Sequence, residues 1–157
     1  MRRIGFLSKL KKEGKLEMVE PSDNVMKSYL AKSGSNTESA NILLRSGHLE
    51  ESVVMAYYSM YHAASAILFG TGIKCENHAA VIIILKEVYG IDNSDISYAK
   101  NERIDKQYYV DFEITREEVK SLIRRAERFN SMLMDFASRK TNSRIGEWRK
   151  RLEEISG

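Results

Sequence analysis

Arg103 is the charged residue whose setting says most about chemistry in this chain. Ile96, Ala99 and Arg103 fall on one stripe at i, i+3 and i+7 of a helix, which turns the guanidinium toward the body of the protein. An inward cation needs carboxylate, carbonyl or phosphate partners, because a buried unpaired charge is costly. Tyr108 and Tyr109 follow about one turn later. Two arrangements fit these three residues: a hydrogen-bonded cluster locking the helix to its neighbours, or a pocket for the phosphate of a nucleotide or RNA.

The remaining candidates carry less. His62 lies one turn after Tyr58 in an apolar segment, which predicts a core or interface histidine with one ring nitrogen bonded; catalytic use is the alternative. His78 follows the cap residue Asn77 and is expected to be exposed at a helix start, while His48 sits in a tight turn. Their spacings, with Cys75 three residues before His78, do not make a metal site, so no structural zinc is expected. Gly70-Thr71-Gly72 lacks the preceding strand and the Lys-Ser/Thr of a phosphate loop and reads as a helix end. Tyr57, Tyr58 and Tyr61 read as core before they read as a base-stacking platform. Arg139, Lys140, Arg144, Arg149, Lys150 and Arg151 could touch a phosphate backbone, but Glu147, Glu153 and Glu154 balance them, and a solvated surface is the simpler reading.

Five helices must position these groups. The segment Ala56–Phe69, AYYSMYHAASAILF, is apolar around most of its circumference and belongs at the centre of a bundle. Its interior histidine and tyrosines, and the lack of a second such segment, argue against a membrane span. Pro21-Ser22-Asp23 starts the preceding helix, which runs to about Ser46 and stops at Gly47. Ser33 to Thr37, with Gly34, is poor helix material and predicts a kink or break. A third helix covers His78 to about Tyr89 and a fourth Ser94 to Tyr109. Thr115 and Glu118 form a capping box, with Ile114 and Val119 as its staple. The fifth helix then shows the cleanest period: Val119, Leu122, Ile123, Ala126, Phe129, Leu133 and Phe136.

The expected architecture is all-α, an up-and-down bundle of about five helices over residues 21–137. Residues 1–20 form a basic lead-in in which Ile4, Leu7 and Leu10 allow a turn or two of helix. Residues 138–157 form an extension, a mobile linker followed by an amphipathic helix carrying Ile145, Trp148, Leu152 and Ile155, packed on a neighbour or on a partner chain. At 157 residues, one domain buries an adequate core without staples. The single cysteine rules out an internal disulfide and suits a reducing cytoplasm, and no cleavable signal precedes the lysines. A net charge of +3 permits nucleic acid as a partner without arguing for it.

AYYSMYHAASAILF (56–69), NHAAVIIIL (77–85) and NERIDKQYYVDFEITREEVKSLIRRAERF (101–129), with the lead-in EGKLEMVEPS (13–22), resemble the HEPN domain, in its small stand-alone archaeal and bacterial branch. The resemblance covers roughly residues 13–136. It implies a dimerising helical bundle, often paired with a minimal nucleotidyltransferase in a toxin–antitoxin-like system. It also implies that catalytic members are metal-independent RNases carrying Arg, four to six residues, then His. Arg103 matches that arginine, but Tyr108, Tyr109 and Val110 stand where the histidine belongs. Arginine does not exchange protons near neutral pH, and tyrosine, with a pKa of about 10, is a poor base. The match is better to the non-RNase portion of the family, where Arg103, Asp105 and Tyr108 or Tyr109 would form a ligand-binding element, with His62 nearby. Nucleotidylation of a tyrosine here is a third reading that the resemblance allows. The expectation is a binding module with no cofactor beyond a nucleotide ligand. An RNase acting through Arg103, Tyr108 and Tyr109 is the alternative.

Overall fold

The computed structural model describes residues 2–108 and 113–157, with side chains from residues 5–105 and 113–157. Its order is α1 (Arg2–Lys12), β1 (Leu16–Met18), α2 (Asp23–Arg45), α3 (Leu49–Gly70), β2 (Ile73–Cys75), α4 (His78–Glu87), α5 (Ser94–Tyr108), α6 (Arg116–Ser138) and α7 (Asn142–Ser156). The all-α expectation holds, with a two-stranded antiparallel sheet added in which Leu16 faces Cys75 and Met18 faces Ile73. Strands of three residues are too short to leave an alternation in the sequence. Among the described residues, no helix is long and apolar enough to cross a membrane.

The central segment is central. In α3, Val53, Ala56, Tyr57, Met60, Ala63, Ala64, Ile67 and Leu68 are buried, as are the small polar residues Ser52, Ser59 and Ser65. α2 runs antiparallel to α3 over its whole length, joined through Gly47 at φ +81°. That helix is continuous, against the expected break. Buried Ser33 donates to the Ser59 carbonyl at 2.7 Å and Ser52 to the Ala40 carbonyl at 2.7 Å. These cross-helix bonds and the packing on α3 outweigh the roughly 1 kcal/mol that Gly34 costs a helix.

Caps fall where residue types put them. Ser22, Asn77 and Thr115 accept from the backbone N–H groups of Val25, Ala80 and Glu118. α6 buries Val119, Leu122, Ile123, Ala126, Phe129 and Leu133 against α3 and α2, with Phe136 partly buried. Within α4, Ala80, Val81, Ile82, Ile84 and Leu85 are buried in the chain's own core.

The segment after α6 forms the expected amphipathic helix, α7, with Ile145, Trp148 and Leu152 buried. The connection is only Arg139 to Thr141, and Thr141 caps α7 through the Arg144 N–H. α7 packs on α1 of the same chain, where Leu7 and Leu10 are buried. Trp148 meets Tyr89 edge-on at 5.3 Å and Phe136 at 5.0 Å between ring centroids. The Arg149 guanidinium donates to the carbonyls of Val19, Thr71 and Gly72 at 2.8, 3.3 and 2.7 Å. Gly72 is required here: φ is +81°, and a Cβ would collide with that guanidinium.

Candidate functional site

Arg103 is turned inward as its stripe requires, with Ile96 and Ala99 fully buried on the same face of α5. Its Nη1 donates to Tyr58 Oη at 3.2 Å. The guanidinium carbon lies 5.0 Å from the Tyr57 ring centroid and 5.7 Å from that of Tyr58, within cation–π reach of both. Its Nε is buried and has no hydrogen-bond partner among the described residues.

Two histidines flank these phenols. On α3, His62 donates from Nδ1 to Asn36 Oδ1 at 2.6 Å, and the Asn36 amide nitrogen turns to Met55 Sδ at 3.9 Å. Neighbouring Tyr58 stacks on His62 with centroids 5.9 Å apart. Burial, and then the charge of Lys32, pushes the His62 imidazole down to about 4. His78 stands first in α4 because Asn77 caps that helix. It is hydrogen-bonded through Nδ1 to Tyr57 Oη at 2.7 Å and stacks on Tyr61 at 3.8 Å. Its pKa too is lowered, by burial first and then by Arg103 and Lys100. The phenols move the opposite way: burial raises Tyr57, against the pull of Arg103, and lifts Tyr61 to about 12.

The expected residues are thus partly assembled. Arg103 and His62 belong to one cluster, joined through Tyr58. Asp105, two positions after Arg103, is rotated by about 200° around the helix, so α5 does not present its carboxylate to the guanidinium. Tyr108 closes α5, but its side chain, like the whole of Tyr109, lies outside the described residues. His78 is a correction. Expected to be exposed at a helix start, it is half-buried against Tyr57 and Tyr61, because α4 begins directly over the middle of α3. Tyr57, Tyr58 and Asn36 were not among the expected site residues either. The i, i+4 pair Tyr58 and His62 was the available signal; nothing local announces Asn36 or His78.

The chemistry of this cluster is cationic and poor in exchangeable protons. The charges bearing on the imidazoles come from Lys32, Lys100 and Arg103, and both rings are neutral at pH 7. The Tyr57 and Tyr61 phenols hold their protons. Such a set orients and neutralises an anion more readily than it shuttles a proton. Among the described residues, no three His, Cys, Asp or Glu side chains gather as a metal site would require.

Comparison with known proteins gives a consistent picture. A family model described as the HEPN domain matches residues 26–139. The UPF0332 protein PH1297 of Pyrococcus horikoshii is 50% identical over 44 residues, 28% of this chain and 31% of its own length, so that match spans under a third of that relative. A Methanocaldococcus jannaschii protein named "Putative toxin MJ0605" is 31% identical over 104 residues, 60% of this chain and 75% of its own.

Proposed function

Since the chain belongs to the HEPN domain family, we propose that it is a non-catalytic binding module that holds a nucleotide or RNA phosphate at Arg103. In this reading it works as a homodimer in the cytoplasm, paired with a minimal nucleotidyltransferase in a toxin–antitoxin-like system. One observation carries the proposal: among the described residues the inward guanidinium meets phenols and no carboxylate, and its buried Nε–H finds no acceptor there. An orphan donor of this kind costs about 1–3 kcal/mol. A residue kept for stability alone would be better replaced by an apolar one, since buried charges seldom repay their desolvation. The jannaschii relative's name supports the toxin–antitoxin setting.

The test is titration of the full chain with nucleoside triphosphates and short single-stranded RNA, alongside co-expression with a minimal nucleotidyltransferase. Binding should weaken at least about tenfold in Arg103→Ala, the loss expected for one charge-assisted contact, while circular dichroism shows the fold intact. A folded preparation with no measurable affinity and no complex removes the reading.

The Tyr57–His78 pair beside Arg103 favours a second reading, a metal-independent RNase in which His78 stands in for the missing motif histidine. RNA cleavage without added metal, lost in both His78→Ala and Arg103→Ala, would establish it in place of the first. Loss in Tyr108→Phe or Tyr109→Phe instead would move the chemistry to those phenols.

A further inference from the structure

A groove of about 620 Å³ runs between α2 and α3 and is lined by residues of these two helices. Ile42 and Leu43 of α2 and Val54 and Met55 of α3 form its floor, with Glu50 and Glu51 on its rim. Ile42 is 47% exposed, a large apolar side chain left uncovered near the end of α2. Ser39 and Leu43 on α2, and Glu51 and Met55 on α3, stand one turn apart in the lining, and the slot between two such rows is the shape into which a third helix packs.

Charge decides what kind of helix. Glu38, one turn before Ile42 on the same face of α2, is exposed, as are Glu50 and Glu51. Among the described residues Glu38 and Glu50 have no ion-pair partner, and Glu51 has only His48 at 3.8 Å. Across a protein whose net charge is positive, carboxylates are thus gathered around its apolar groove. A twofold pairing with a second copy would set this acidic rim against itself, which disfavours that occupant.

We infer that the α2–α3 groove is a docking site for a basic amphipathic helix of a partner protein. The apolar stripe of that helix covers Ile42, Leu43, Val54 and Met55, and its flanking lysines or arginines meet Glu38, Glu50 and Glu51. The inference stands apart from what Arg103 binds. It has one link to that site: the Met55 sulfur in the groove floor accepts from Asn36, which orients His62.

The test uses the full chain with labelled methyl groups. The probe is a synthetic helix of about 18 residues, leucine on one stripe and lysine beside it, at about 0.15 M salt to suppress non-specific attraction. The methyl signals of Ile42, Leu43, Val54 and Met55 should shift together and saturate. The double variant Glu50→Lys, Glu51→Lys should bind about tenfold more weakly, and a peptide with glutamate in place of lysine should bind that variant and not the parent. Shifts confined to another surface, or an affinity indifferent to charge reversal, overturn the inference. So does a parent chain that self-associates through this face and is dissociated by Ile42→Asp, which would make the groove a contact between copies.

Discussion

The neutrality of His62 and His78 is a property of where two rings are packed, and it has a thermodynamic consequence. An imidazole in the unfolded chain takes up its proton near pH 6.5, whereas His62 in the folded protein resists until about 4. Its depressed value contributes stability that is fully present above about pH 6.5 and drains as pH falls toward 4, because only the unfolded chain gains the proton. Partial solvent access to the ring keeps this to about 1–2 kcal/mol, and His78 acts in the same direction. Denaturant unfolding at pH 7 and pH 5 should show the loss, and His62→Gln should flatten the dependence; an unchanged slope would mean the ring is hydrated. At this scale the sequence is half legible. The inward turn of Arg103 follows from Ile96 and Ala99 on its own helix. Its partner Tyr58 lies 45 positions away and the Tyr57–His78 contact spans 21. No local period encodes those separations.

Helix ends were the most readable elements. Asn77 and Thr115 cap as their residue types predict, because an N-cap is settled by a side chain and a backbone N–H three residues on. Thr115→Ala should cost about 1 kcal/mol, visible as a lower denaturant midpoint with an unchanged slope. A null result would mean that the staple residues Ile114 and Val119 hold the start of α6 unaided. Helix middles were less readable. Ser33, Gly34 and Thr37 look like a break only while α2 is considered alone; Ser33 bonded to the Ser59 carbonyl makes the same stretch a point of attachment. Propensity is a local quantity, and tertiary contacts override it where a polar side chain finds a partner on the next helix.

For the molecule as a whole, α1 and α7 are joined to each other and to the bundle, and neither attachment could be read from composition. Amphipathic patterns at Leu7 and Leu10, and at Ile145, Trp148 and Leu152, say that each helix has an apolar face without saying which face meets which. Arg149 fastens this arrangement by serving three carbonyls at once. Arg149→Met should cost about 2–3 kcal/mol, since bonds to a charged donor are lost and buried acceptors are left bare. Thermal unfolding with a stability-neutral control at exposed Arg144 measures this. A loss no larger than the control's would mean that water replaces the guanidinium.

The Ser8 hydroxyl donates to the Ser156 carbonyl across a separation of 148 positions, and that pairing imposes an order in time. During synthesis α1 leaves the ribosome long before α7 exists, so its leucines wait uncovered while the bundle gathers beside them. Consolidation of this corner therefore waits until α7 has been made. A nascent chain arrested before residue 142 should remain sticky and open to proteases at its beginning, even with its central helices already in place.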